Sequence, residues 1–548
     1  MFKKRANILL LIFCMLFGII ILRMLYLQVY KAGSLAKSAS AQRIISSSIE
    51  QPRGNIVDRN EIPFTDRQKK YTVVLKPIYL ENAEEKLIKV CSILGLDVGT
   101  VKKELEVERQ PVLIDTDEER KNRLIDLDIN GLSVINSLTR YDESSIAKHV
   151  LGYLSKRDQI GQTGIEKFYE DALRYNYINT IDVVTDAGSN LVKGLGYRIN
   201  IGNINKGMLN VKLTLDYHIQ RIVEDVMVKN GITGAVVVED VNTGDIVAMA
   251  SKPDFNQNSV EDYLKSPGNE LFNRAVASYN IGSVFKIIDV AALLESPDIV
   301  PENYYCRGSI RIGVNEFKCS ANKDGGHGEV DLEQAFAKSC NPYFINISEK
   351  IGYKKLVGMA QTFGIGSMTG IREQGISEFK GNLPPINTYY SAGDIANISI
   401  GQGVLMVTPL QAADIVATIA NGGIKNRVNV VDSVIDSDGN KVREIRIKEG
   451  HRIISKETAD QIKILMEAVT DYGTGTAAQL EQYGEAAGKT GSAETGKTDI
   501  VHAWFTGYFP RNQPGYSIAV LVENGQYGGK VAAPIFAEIA AEIMKKGY

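Results

Sequence analysis

Residues Ile8 to Leu22 carry no charged side chain, and the apolar run resumes past Arg23 from Met24 to Val29. About 20 mostly apolar residues are what a helix needs to cross a bilayer, so this segment commits one part of the chain to a membrane. Arg23 lies near its far end, where a long side chain snorkels toward the headgroups. A cleaved signal peptide has a shorter apolar core followed by small residues, and Leu25-Tyr26-Leu27-Gln28-Val29 offers none. Lys3, Lys4 and Arg5 precede the run, and such charges favour the cytoplasmic side. The expected arrangement is a cytoplasmic tail over 1–6, one transmembrane helix over 7–29, and the chain from about Tyr30 onward outside the cytoplasmic membrane.

At 548 residues the chain exceeds what one hydrophobic core usually supports, about 250 to 300 residues. Two or more folded units are therefore expected. A formal net charge of -3 with 23% charged residues, and no acidic or basic tail, gives no sign of a nucleic-acid partner. From 30 to 206, charged helical stretches (Ala83 to Leu94, Val101 to Glu108) mix with strand-like runs such as Tyr71 to Leu75, and no catalytic constellation appears. From 207 to 548 the pattern is α+β. Gly234 to Glu239 and Asp245 to Ala250 flank Asn242-Thr243-Gly244 and read as a hairpin. Helices are expected over Gly282 to Glu295, Leu332 to Gly352 and Thr408 to Asn421, and strands near Ala486 to Glu494, Val501 to Phe509 and Tyr516 to Glu523. Pro534 is expected to open a last helix, where its missing N–H costs nothing.

Ser283-Val284-Phe285-Lys286 sets a hydroxyl and an amine three residues apart on one helix face. A serine nucleophile needs a base, and a desolvated lysine can serve. Ser339-Cys340-Asn341 is expected inside the amphipathic helix that starts near Asp331, with Ser339 able to relay protons and Asn341 able to fix a peptide group. Lys489-Thr490-Gly491-Ser492 follows in a strand-like run, with a cation, two hydroxyls, and a glycine where a substrate approaches the backbone. Each signal alone is weak; together, in this order, they are strong.

With these motifs on the page, the chain resembles the class B penicillin-binding proteins along nearly its whole length. Arg53-Gly54-Asn55-Ile56-Val57-Asp58-Arg59-Asn60, Ala147 to Tyr153 and Gly164-Ile165-Glu166-Lys167 are similar to motifs of the family's N-terminal region. Ser399 to Gly403, Thr408 to Gln411, Ala420 to Gly423 and His502 to Tyr508 are similar to motifs of its transpeptidase domain. The resemblance implies an α+β fold in three parts: a membrane-anchor helix, an elongated mixed α/β pedestal or dimerisation domain over 30–206, and a serine-β-lactamase-like domain over 207–548 whose antiparallel sheet is flanked by helices. It implies acyl transfer from D-Ala-D-Ala stem peptides, and covalent acylation by penicillins. Ser283 would be the nucleophile, with Lys286 taking its proton, Ser339 and Lys489 passing it on, and Asn341 orienting the donor peptide. Thr490 and Ser492, beside Gly491, would grip the terminal carboxylate, and the N–H groups of Ser283 and Ser492 would form the oxyanion hole. No cofactor is implied for the reaction; the implied partners are peptidoglycan stem peptides, β-lactams, the membrane and a lipid-II-polymerising glycosyltransferase. One position departs from the pattern: Ile281 stands where the family usually has proline, which predicts a looser approach to Ser283.

Competing readings are weaker. Gly491 to Thr498 fits the phosphate-loop pattern, but such a loop must open a helix and the following residues are strand-like, so no nucleotide is expected. A class A enzyme needs a glycosyltransferase domain for which there is no room before Leu209, and a β-lactamase lacks a pedestal. A catalytically weak sensor or scaffold of a cell-wall complex is the alternative function. Cys306, Cys319 and His327, with Asp324 close by, admit three readings. These are a disulfide favoured by an oxidising compartment, a structural tetrahedral zinc site with Asp324 or Cys340 as fourth ligand, and free thiols.

Overall fold

The computed structural model describes residues 2–35, 44–50, 52–75, 84–108, 112–127, 129, 132–156, 158–175, 179–184, 197–200, 208–387, 390–480, 482–496 and 500–547. The chain divides into two compact units. The first comprises 1–52, 68–138 and 175–206, and the second 53–67, 139–174 and 207–548.

The first unit contains the apolar helix, continuous over Lys3–Tyr30, with none of its most apolar window buried and a mean hydropathy of 2.9 there. It is long and apolar enough to cross a membrane. Two three-stranded sheets follow. In one, Asn179–Val184 pairs antiparallel with both Ile44–Glu50 and Tyr197–Asn200; in the other, Gln68–Leu75 lies between Val112–Thr116 and Leu132–Thr139. Val73 and Leu75 pack against Leu87, Val90 and Leu94 of the helix Glu84–Leu94, the apolar stripe expected of an amphipathic helix.

The division differs from the expected boundary, whose residues 206–207 lie outside the described ones. Segments 53–67 and 139–174, read from sequence as pedestal, belong to the second unit. Ile56–Val57 pairs parallel with Asn210–Leu213, and Phe64, Val150, Leu151, Ile165 and Leu173 are buried in that unit's core. Their charges are matched as well: Arg53 Nε meets Glu166 Oε2 at 2.6 Å, and Arg140 meets Glu166 Oε1 at 2.8 Å and Asp66 at 2.5 Å.

In the second unit the main helices are α1 (Tyr217–Lys229), α2 (Lys286–Leu294), α3 (Leu332–Ala337), α4 (Asn341–Ile351), α5 (Pro409–Ala420) and α6 (Gly528–Lys546). The main strands are β1 (Gly234–Asp240), β2 (Ile246–Lys252), β3 (Ala487–Glu494), β4 (Val501–Phe509) and β5 (Tyr516–Val522). The five strands form one antiparallel sheet in the order β2-β1-β5-β4-β3, which leaves β3 at an edge. Side chains alternate between its faces. Val236, Val238, Phe505 and Phe509 join α1 and α6 in one core, while Ala235, Val237, Trp504 and Tyr508 join α2 and α5 in the other. Burial on both faces accounts for the apolar runs of β1, β2 and β5.

Local chemistry sets the helix ends. Thr408 and Gln411 form a capping box before α5, with Pro409 at its first position. Two expected helices differ. The stretch Leu332 to Gly352 is two helices, because Ser339 takes φ +56° between them. The N–H of Ser339 bonds Phe336 O and that of Cys340 bonds Ala335 O, which terminates α3 in a Schellman motif, and Pro342 then starts α4. Pro534 does not open α6 but lies inside it, at an exposed position.

Candidate active site

Ser283 lies in a short 3-10 turn, Gly282–Phe285, that runs directly into α2 at Lys286. Gly282 has φ +60°, and a methyl group there would come within 2.8 Å of Ser492 O. The bare, left-handed position therefore lets the turn abut the edge strand β3 beside Ser492. Gly491 is bare for the same reason: a methyl would lie 2.6 Å from Ile281 O and 3.0 Å from Trp504 Cβ. Gln402 Nε2 donates to Ser492 O at 3.4 Å.

Two fully buried amines converge on one hydroxyl. Lys286 Nζ lies 3.2 Å from Ser339 Oγ, 2.9 Å from Ser339 O and 2.7 Å from Asn341 Oδ1. Lys489, reaching in from β3, lies 3.0 Å from the same Oγ and 3.2 Å from Thr490 O. Aromatic rings flank both, Phe344 at 5.3 Å from Lys286 and Phe336 at 5.4 Å from Lys489. Burial pushes Lys286 down to about 8. Burial, and then the neighbouring Lys286 charge, hold Lys489 well below the ordinary lysine value. A neutral amine can accept a proton, and a serine hydroxyl offers one donor and two acceptors. Lys286, Ser339 and Lys489 thus form a chain along which a proton can pass.

Asn341 bonds Lys286 through Oδ1 and donates from Nδ2 to Lys318 O at 3.0 Å. The amide nitrogen carries a second N–H that a ligand carbonyl can take. Thr490 is nearly buried, and its hydroxyl shares a 2.6 Å hydrogen bond with Thr474 Oγ1. Ser492 is exposed, and its Oγ accepts from the N–H of Gly528, the first residue of α6. Sequence reasoning missed Thr474, whose only signal is the tripeptide Gly473-Thr474-Gly475. It also missed Trp504, whose Nε1 donates to Asn280 O at 3.0 Å. The segment from Gly491 to Glu494 is strand and opens no helix; 497–498, the end of the phosphate-loop-like pattern, lie outside the described residues.

A second group of side chains lies against the motif of Ser339. Ligand atoms of Cys306, Cys319, His327 and Cys340 all lie within 4.8 Å of one another, and all five cysteines are free. Asp324 is not in the group: it ends a one-turn 3-10 segment, and Cys340 takes the fourth place as the residue capping α4. Cys319 Sγ is 3.4 Å from His327 Nδ1. The contact with Cys340, then the His327 ring, favours the Cys319 thiolate, and the same contact pushes Cys340 up. Three sulfurs and an imidazole at this spacing fit tetrahedral zinc, whose ligands stand roughly 3.5 to 4 Å apart.

Comparison with known proteins agrees with this architecture. Residues 234–541 match the penicillin-binding protein transpeptidase domain, and residues 48–193 the penicillin-binding protein dimerisation domain. Stage V sporulation protein D of Bacillus subtilis is 30% identical over 570 residues, spanning 97% of this chain and 85% of its own. Peptidoglycan D,D-transpeptidase MrdA of Acinetobacter baumannii is 27% identical over 605 residues, spanning 96% and 86%. Among solved structures, a chain studied in the structural coordination of polymerization and crosslinking by a peptidoglycan synthase complex superposes with a TM-score of 0.73 at 25% identity, over 99% of this chain and 98% of that one. Penicillin-binding protein PBP2 from Helicobacter pylori, at 22% identity and a TM-score of 0.68 over 92% and 100%, shares the fold. A dimerisation domain ahead of a transpeptidase domain, with the lysines of two of the three motifs meeting on the hydroxyl of the third, places this chain in the family of class B penicillin-binding proteins.

Proposed function

We propose that the protein is a membrane-anchored serine D,D-transpeptidase that cross-links peptidoglycan, and that penicillins acylate it. The observation that carries the reading is the convergence on Ser339 of two buried, neutralisable amines, one from Lys286, a turn after Ser283, and one from Lys489 on the open edge strand β3. A stem peptide adding to that edge as an extended strand would bring its penultimate D-Ala carbonyl to Ser283. Ser283 Oγ bonds that carbon as Lys286 takes its proton, with the N–H groups of Ser283 and Ser492 receiving the developing oxyanion, worth about 3 kcal/mol per donor in a serine protease. The C–N bond then breaks, and the leaving D-Ala amine takes a proton delivered through Ser339 and Lys489. An amine of a neighbouring stem peptide attacks the ester and restores Ser283. Asn341 holds the donor peptide, and Thr490, with Ser492, holds the terminal carboxylate.

The apolar helix would place this unit outside the cytoplasmic membrane, with a lipid-II-polymerising glycosyltransferase as partner in that membrane. Likeness to a chain of a peptidoglycan synthase complex supports that pairing. Cys306, Cys319, His327 and Cys340 would hold a structural Zn2+, which ties the base of the hairpin Ser309–Lys318 to the start of α4. Metal analysis of protein purified without chelator should give about one zinc per chain. The absence of zinc together with loss of two titratable thiols would refute the metal and restore the disulfide. For the reaction, intact mass after incubation with a fluorescent penicillin should show one adduct that Ser283→Ala abolishes. An adduct that survives the substitution removes Ser283 as nucleophile.

A further inference from the structure

We infer that Trp504 is a positioning residue for the nucleophile: its indole N–H holds the Asn280 carbonyl and presents Ser283, in place of the proline that Ile281 lacks. The inference rests on the acyl-transfer reading above. Trp504 is the only tryptophan in the chain, lies fully buried in β4, and stands across from Gly491 of β3. Its Nε1 reaches Asn280 O at 3.0 Å, over a strand that Gly491 leaves bare at that point.

The residues on either side are fastened as well. Tyr279 exchanges two backbone hydrogen bonds with Val407, and its hydroxyl donates to Glu523 at 2.7 Å. The Asn280 side chain donates to Gly403 O and Leu405 O, and Gly282 N–H to Gly401 O at 2.9 Å. Between these fixed points lies the peptide unit joining Asn280 to Ile281. That unit is a rigid plane which can rotate only about its two flanking bonds, and its rotation would carry Gly282 and Ser283 with it. The Trp504 N–H bonds the oxygen of this plane from the sheet side. Ile281 has φ -96°, outside the window of about -65 ± 15° that a proline ring enforces, and its buried side chain packs in the core instead. Constraint from the ring is thus replaced by constraint from a hydrogen bond whose donor is anchored in a strand paired on both sides.

The competing explanation is that the carbonyl merely satisfies a core tryptophan, since a buried indole N–H needs an acceptor. Kinetics separate the two. With the full chain in detergent micelles, the time course of labelling by a fluorescent penicillin at several concentrations gives an initial binding constant and an acylation rate constant. Two variants test the N–H: Trp504→Phe, and replacement of Trp504 by 3-benzothienylalanine, which keeps the bicyclic shape and carries sulfur in place of N–H. The second keeps the core filled should the first fold poorly. The expected result is a five- to tenfold fall in the acylation rate constant in both, with the binding constant within twofold of the parent and the melting temperature of the isostere nearly unchanged. Acylation of the benzothienyl variant at the parent rate overturns the inference, as does a fall in both variants confined to melting temperature. A parent protein that forms no adduct overturns the acyl-transfer reading and this inference together, so the two failures are distinct.

Discussion

Two of the polar clusters buried in the second unit are built on opposite principles. Around Glu166 opposite charges are paired: Arg53 and Arg140 both meet it, Tyr141 OH donates to it at 2.9 Å, Glu170 takes Arg53 Nη2 and Asp66 takes Arg140 Nη1. Around Ser339 like charge is concentrated: the partners of Lys286 and Lys489 are hydroxyl, carbonyl and amide oxygens and two aromatic faces. The first arrangement sets guanidinium against carboxylate and ties together chain segments 53, 140 and 166. The second makes neutral amines cheap and charged ones costly, which a fold tolerates only where a base is needed. The difference teaches that burial alone marks no function here; two buried amines that meet on one hydroxyl, with neither bonded to a carboxylate, do.

The comparison can be broken by removing one charge from each cluster. Lys286→Met should lower the acylation rate by about 10^2- to 10^4-fold, the usual weight of a general base, without lowering stability at pH 7. The folded value of Lys286 is about 8, below the unfolded value of about 10.4. The fold therefore bears the full cost of protonating it below pH 8, and that cost fades between pH 8 and about 10.4. The variant's relative gain, read from denaturant melts, should shrink by about 3 kcal/mol across that window. The parent's acylation rate should rise with pH and level off above about 8, and a flat profile from pH 6 to 9 would remove Lys286 as the base. In the other cluster Glu166→Gln should do the reverse. Breaking a buried pair from one side costs about 3 to 5 kcal/mol, so the melts should shift by that much, while the acylation rate of the remaining folded protein stays within about threefold. Equal stability of Glu166→Gln and parent would show that the cluster is not a structural clasp.

How much of this was legible in sequence follows from the range of the interactions. The sheet strands, the hairpin at Asn242-Thr243-Gly244 and the capping box at Thr408 rest on neighbours a few residues apart, and their patterns are visible. The three motifs of Ser283, Ser339 and Lys489 were legible because each is compact. The parallel pairing of Ile56 with Val211 joins residues far apart in the chain, and no local pattern announces it. The helix break at Ser339 was hidden because the apolar period continues through it and serine stands where glycine usually marks a left-handed turn; Pro342 was the available signal. Cys340 and Asp324 both stood as candidates for a fourth ligand, and only the fold, which sets the Cys340 thiol within 4.8 Å of the ligand atoms of Cys306, Cys319 and His327, separates them.

Ser339 itself supplies the smallest effect and the sharpest contrast. Its hydroxyl joins the two amines, and its φ of +56° is a conformation that costs a residue with a side chain about 1 kcal/mol or more. Ser339→Ala and Ser339→Gly both delete the hydroxyl, and both should slow acylation by a similar factor, about 10^2-fold. They differ only in backbone: glycine accepts the left-handed turn freely and alanine does not. In an ordinary helix alanine is the more stabilising of the two by about 1 kcal/mol; here the order should invert, with the glycine variant melting above the alanine variant by about 1 kcal/mol in denaturant titrations. If alanine is the more stable, α3 and α4 are continuous in solution. The approach of both lysines to one hydroxyl, which depends on that break, would then need another explanation.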